Sequence, residues 1–313
     1  MLHSQDFSNP YALNMIHLLL FNNLSSKEFL SIEPQDQVSI MSSVIFTRYI
    51  LPTPYLMHEA LALSALHMST KNREAPEFYR QYATGLQTRA LVLYNDSLPA
   101  LDLNSANCTP MFLFASFIAA HLLCDTLQHE QASLDHFINK FTNCLTIHRG
   151  IVVISSQCWD LLRETELGPR LRLGAELIRE KSESGSDCSV LNEMLDATDI
   201  SSEEYHVYRK AISALQQVFD AERAYPASRF DGQLVSAWPI IVSSEYVDLL
   251  RQQTPQSLII LAYYAVLLNR CRDSWLYGEG GRFLIESICS RLEATWQDWL
   301  GYPKSVLSAS PPT

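Results

Sequence analysis

Apolar and polar positions along this chain recur at helical spacing over most of its length. The densest apolar stretch is TPQSLIILAYYAVLLNR, residues 254–270, where every position from Leu258 to Leu268 is apolar or tyrosine. No face of a helix there is left for water, so the pattern predicts a central helix enclosed by protein. Thr254 is placed as its N-cap and Pro255 at its first position, where a residue without an N–H loses nothing. The fully apolar run is too short to cross a bilayer, which takes about 20 residues.

Two further segments are apolar almost all round. In PYLMHEALALSALHMSTK (54–71) the polar positions before Ser69 are His58, Glu59, Ser64 and His67, and they scatter about the axis at 100° per residue. MFLFASFIAAHLLC (111–124), opened by Thr109 and Pro110, is interrupted only by Ser116 and His121. APEFYRQYATGLQTRALVLYNDSLP (75–99) is amphipathic instead. Tyr79, Tyr82, Ala83, Leu86, Ala90, Leu93 and Tyr94 share one stripe, with Arg80, Gln87, Arg89 and Asp96 opposite.

SLDHFINKFTNCLTIHRG (133–150) predicts another amphipathic helix, ended by Gly150 as a C-cap signal. IVVISSQCWDLLRE (151–164) reads as a separate helix, because no segment nearby can pair with it as a sheet. Further helices are expected at 12–23, 35–51, 202–223, 245–253 and 282–300. The strongest breaker is EKSESGSDC at 180–188. The fold class is therefore all-α, a single multi-helix orthogonal bundle around buried apolar helices. Its expected extent is 12–303 with a mobile insertion at about 180–201, between a disordered start (1–11) and a disordered tail (304–313).

Composition narrows the function. The 313 residues carry 23 Lys plus Arg against 34 Asp plus Glu, a net charge of −11, with no basic block. Nucleic-acid binding rests on neutralising phosphates, so direct contact with DNA or RNA is not expected. Nor is a membrane span or an anionic membrane surface. The seven cysteines contain no CxxC or other close pair, which excludes a zinc ribbon or binuclear zinc cluster. Their odd number and apolar settings fit free buried thiols in a reducing, intracellular compartment. MLHSQDFSNP lacks the basic and apolar regions of a secretory signal.

Catalytic signatures are missing: there is no GxSxG, phosphate loop or HExxH. YGEGGRFLIE (277–286) has glycines ahead of a helix but no preceding strand and no P-loop lysine, so it reads as a tightly turned link. His58 and His67 stand nine residues apart on opposite sides of one helix and cannot close on one ion; satisfied core histidines are expected, and no metal or cofactor. His121, alone in an apolar helix, reads either as structurally buried or as pointing into an internal pocket. Tyr263 and Tyr264, 100° apart, cannot face the same neighbour, which leaves both packing and a ligand wall open for them. Trp275, Trp296, Trp299 and Tyr302 read as packing residues.

Four stretches in this order carry a resemblance. They are YLMHEALALSALHMS; FYRQYATGLQTRALVLYNDSLP leading to LNSANCTPMFLFASFIAAHLL; TIHRGIVVISSQCWDLL; and LLRQQTPQSLIILAYYAVLLNRCRDSWLYGEGGRFLIESICSRLEATWQDWLGYP. Together they resemble the C-terminal regulatory domain of fungal binuclear-zinc-cluster transcription factors, in particular the sterol-uptake-control branch, over residues 12–170 and 203–303. The resemblance implies an all-helical, homodimeric domain that binds a small hydrophobic molecule, such as a sterol or secondary metabolite, and tunes transcription in the nucleus. The pocket of that family lies among its C-terminal helices. This makes Tyr264, Leu267, Trp275, Gly280 and Gly281 candidate pocket or gate positions, and the residue-level readings above add Tyr263 and His121 as candidate ligand-binding residues. The zinc cluster and basic linker of the family are absent from this chain, so contact with DNA would fall to a partner or to the transcription machinery. The family usually has histidine where Tyr263 stands and tryptophan where Tyr302 stands, which implies a differently lined pocket.

Three readings follow from different classes. The first is a ligand-responsive regulatory domain. The second is an isomerase- or cyclase-type enzyme of fungal secondary metabolism recruited from the same scaffold, in which His121, Tyr264 or Asp273 would serve as acid or base. The third is a protein-interaction module without a ligand.

Overall fold

The computed structural model describes residues 15–25, 44–72, 74–97, 104, 106–169, 171–172, 175, 185–224 and 234–308, with 150–155 as backbone only. Among them every regular element is helical. In chain order these are α1 (Met15–Leu24), α2 (Pro54–Lys71), α3 (Pro76–Ser97), α4 (Cys108–His129), α5 (Leu134–Arg163), α6 (Ser189–Asp196), α7 (Ser202–Ala224), α8 (Ala237–Ile241), α9 (Ser244–Arg251), α10 (Pro255–Arg270), α11 (Gly280–Arg291) and α12 (Gly301–Ser308). A π turn, Phe46–Ile50, precedes α2, and a 3-10 segment, Ala294–Leu300, precedes α12. The all-α expectation holds. The chain forms two compact units, one of Met1–His121 with Val153–Pro169, the other of Leu122–Val152 with Arg170–Thr313.

The first unit is built on α2, which packs along α3 and against α1. Pro54 starts α2, and Asn72 turns the chain at its end, its Oδ1 accepting the N–H groups of Glu74 at 3.0 Å and Ala75 at 3.2 Å. Ser64 of α2 donates to the Leu20 carbonyl of α1 at 2.7 Å and accepts from Asn23 at 2.8 Å. A polar position on a buried helix is thereby satisfied from a neighbour. Tyr55, Tyr94 and Phe114 cluster with ring centroids 4.6 to 5.2 Å apart. Tyr49 and Arg48 both donate to Glu166.

The second unit is built around α10, buried from Gln256 to Asn269 without interruption. α11, α7, α9, α6 and α12 surround it. Gly281 makes its packing on α11 possible: a Cβ there would come within 2.7 Å of the Ala265 carbonyl oxygen and closer still to the Asn269 nitrogen. The Thr254 side chain makes no cap bond; its Oγ1 instead meets the Tyr208 hydroxyl at 2.8 Å.

Several expectations are corrected. Gly150 does not end a helix. α5 runs through it to Arg163, because nothing at that position requires the left-handed conformation and an interior glycine costs a helix only about 1 kcal/mol. Residues 189–196 of the expected insertion are helical, since Leu191, Met194 and Leu195 form one buried face. Residues 304–308 of the expected tail are helical as well. Cys108 and Cys158 are joined in a disulfide while five cysteines stay free. Their separation of 50 residues hid the pairing from spacing alone. Residues 1–11, most of 35–51 and 309–313 lie outside the described residues. Among the described residues α4 is long and apolar enough to cross a membrane, and 61% of its most apolar window is buried inside the protein.

Candidate functional site

The second unit contains a cleft of about 460 Å³ lined by Gly185, Ser186, Asp187, Val190, Arg223, Tyr263 and Tyr302. Two of its lining residues are aromatic. Tyr263 projects from α10 and Tyr302 from α12, with ring centroids 5.6 Å apart and planes at 55°. The Tyr263 hydroxyl donates to the Trp299 carbonyl at 3.3 Å. The Tyr302 hydroxyl accepts from Arg270 at 2.8 Å, which leaves its own hydrogen to donate. Burial pushes both phenols above their ordinary value, so both are neutral hydroxyls.

The rim is polar and tied down. The N–H of Gly185 donates to Asp220 at 2.9 Å, and that of Cys188 to Gln216 at 2.8 Å. Gln216 in turn donates to Asp187 and Asp220. Arg223 bridges the same two carboxylates, Asp187 and Asp220. Gly185 fits because the guanidinium lies against it; a Cβ would stand 2.8 Å from Arg223 Cζ. A loop of small polar residues is thus fastened to α7 beside two aromatic rings. The lining is polar more than apolar, so the site offers hydrogen-bonding groups beside a small aromatic surface.

Of the residues singled out in the sequence, Tyr263 lines this cleft. Tyr264 is turned the other way, its hydroxyl donating to the Val235 carbonyl at 3.2 Å and its ring stacked on Trp238. Leu267 is wholly buried in the same core. Trp275 is half-buried, and its carbonyl accepts the side-chain amide of Gln128. Gly280 sits against Leu127, where a Cβ would come within 2.8 Å of the carbonyl oxygen, and Gly281 against α10. Both serve close helix packing. Asp273 is exposed. His121 belongs to the first unit, its Nδ1 3.2 Å from Glu59 Oε1.

No protein-family model matches the chain, and no curated protein matches it.

Sequence reasoning missed the rim. Asp187 and Val190 sit at the edge of the strongest breaker, which read only as a loop, and Arg223 closes an ordinary amphipathic helix. Tyr302 stood out as a departure from the family pattern and otherwise read as a packing residue. Among the described residues no group of three or more His, Cys, Asp or Glu is placed to hold a metal ion. His58 bonds the Pro54 carbonyl at 2.9 Å and His67 faces Asn23 at 3.1 Å, so each has its own partner.

Proposed function

We propose that this chain is a ligand-responsive transcription regulatory domain of the fungal zinc-cluster type, and that its small hydrophobic ligand occupies the cleft over Tyr263 and Tyr302. The observation that carries the reading is the meeting of these two rings in the lining of one cleft. They are the two positions at which the sequence departs from the family it resembles, and they come from the C-terminal helices among which that family places its pocket. A volume of about 460 Å³ falls within the usual range for small-molecule sites. With a net charge of −11 the chain acts on DNA through a partner.

The test is native mass spectrometry of the purified protein incubated with sterols and with fungal metabolite extract, alongside Tyr302→Ala and Arg223→Ala. A ligand bound one to one, returned unchanged and lost in both variants while their helical signal persists, supports the reading. Ligand at 100 times its Kd raises stability by about 2.7 kcal/mol. A new product appearing during incubation replaces it with the enzyme reading, and no bound ligand from either source refutes it.

A further inference from the structure

The first unit holds a buried acid–base contact that the cleft does not use. Glu59 comes from the second turn of α2 and His121 from α4, with Oε1 and Nδ1 3.2 Å apart. Glu59 is 0% exposed and His121 4%. The other carboxyl oxygen, Glu59 Oε2, has no hydrogen-bond partner. Gln87 of α3 directs its side-chain amide at the same carboxyl, short of a fully formed hydrogen bond.

The charged and titratable groups on the surrounding elements are engaged elsewhere. His58 holds the Pro54 carbonyl and is acted on by Arg89. His67 faces Asn23, and His17 of α1 lies edge-on to Tyr82 of α3. Tyr55 faces Tyr94, Glu77 pairs with Arg80, and Arg48 and Tyr49 hold Glu166.

An ionised Glu59 would keep a full charge in a site sealed from water, with one oxygen unbonded. The neutral acid avoids this. Its proton on Oε1 is donated toward Nδ1, and Oε2 is left as an uncharged carbonyl oxygen. We propose that Glu59 stays protonated at neutral pH in the folded first unit and donates to His121, so that the pair is a proton-dependent latch between α2 and α4.

The direction follows from linkage. Burial raises the Glu59 carboxyl above its ordinary value of 4.5, against the opposing effects of His121 and Gln87. The unfolded chain releases this proton near the ordinary value and the folded one retains it. The stabilisation is therefore complete below the ordinary value and is lost as pH rises through the folded one. The latch opens on the alkaline side.

Hydrogen exchange of α2 and of the 108–121 part of α4, followed from about pH 4.5 upward into the alkaline range and corrected for intrinsic rates, tests this. In the wild type the opening equilibrium rises by up to about tenfold per pH unit, the limit for one proton. Glu59→Gln keeps a neutral donor beside His121, and in it the rise disappears while protection at neutral pH remains. An unchanged pH slope in Glu59→Gln overturns the proposal. Should that variant fail to fold, infrared spectroscopy of the wild type decides. A protonated-carboxyl stretch at neutral pH, where exposed carboxylates are ionised, supports the latch, and its absence refutes it.

Discussion

The ring of Tyr264 stacks on the indole of Trp238, with centroids 4.5 Å apart and planes 28° from parallel. The stack joins the middle of α10 to α8. Trp238 Nε1 donates in turn to the Ala211 carbonyl of α7 at 3.2 Å, so three helices of the second unit meet at one pair of rings. Trp238→Ala is expected to cost about 3–5 kcal/mol, the range for emptying a large buried aromatic site. Tyr264→Phe keeps the stack and strands the Val235 carbonyl, costing about 1–2 kcal/mol. Urea denaturation of both variants and of the double variant measures this; additive losses would mean that the Tyr264 hydroxyl bond and the Trp238 indole act independently.

Two glycines should respond to alanine in opposite ways. At Gly281 the new methyl group meets backbone atoms of Ala265 and Asn269 that cannot swing aside, so Gly281→Ala forces α11 off α10 and costs about 3 kcal/mol. Gly301 has helical φ of −55° and nothing within 4 Å of a built Cβ. Gly301→Ala therefore stabilises by about 0.4–1 kcal/mol through the unfolded chain. Thermal unfolding midpoints of the two variants should move to opposite sides of the wild type.

The Cys108–Cys158 bond closes a sequence separation of 50 residues within the first unit. The chain-entropy relation gives about 4 kcal/mol for a loop of that length. Unfolding with and without dithiothreitol, with peptide mapping of the oxidised protein, checks it. Seven alkylatable thiols in the untreated protein, or an unchanged midpoint on reduction, would contradict the expectation.

His148 sits on α5, with Nδ1 2.9 Å from the Cys144 carbonyl, and is almost wholly buried. Burial lowers its pKa below the ordinary 6.5, with the bond to Cys144 opposing. The folded state then resists a proton that the unfolded chain accepts. The associated stability is present above 6.5 and declines as pH falls toward the folded value, at about 1.4 kcal/mol per pH unit at most. His148→Gln should flatten this acid-side slope in denaturation series while leaving stability at pH 8 close to its wild-type value.

Much of the fold was legible because burial on every side leaves a one-dimensional trace. From Leu258 to Leu268 no residue needs water, and the structure surrounds all of them. The face of α3 bearing Tyr79, Tyr82, Ala83, Leu86 and Ala90 was equally readable. Gln87 was not: it counted toward the solvent side, yet it reaches inward to Glu59, because a long amide can serve a buried partner from the flank of a helix. Glu59 and His121 lie 62 positions apart on two apolar helices, and each alone looks like an isolated polar residue in a core.

The cleft shows the same division. Tyr263 was singled out on α10, but its neighbour Tyr264 carried equal weight, since adjacent residues on a wholly apolar helix give no sign of which one meets a boundary. Arg223, Asp187 and Val190 carried no signal, because a rim assembled from three elements has no spacing of its own.

By itself the sequence determined the helical class, the enclosed central helix, the acidic surface and the lack of a zinc-cluster motif, all of which depend on residue type and local period. Only the tertiary structure decided that Tyr263 and not Tyr264 meets the cleft, that Glu59 faces His121, and that Cys108 meets Cys158. Those outcomes depend on how helices are turned toward one another, and that rotation is set by the summed packing of side chains distant in the chain.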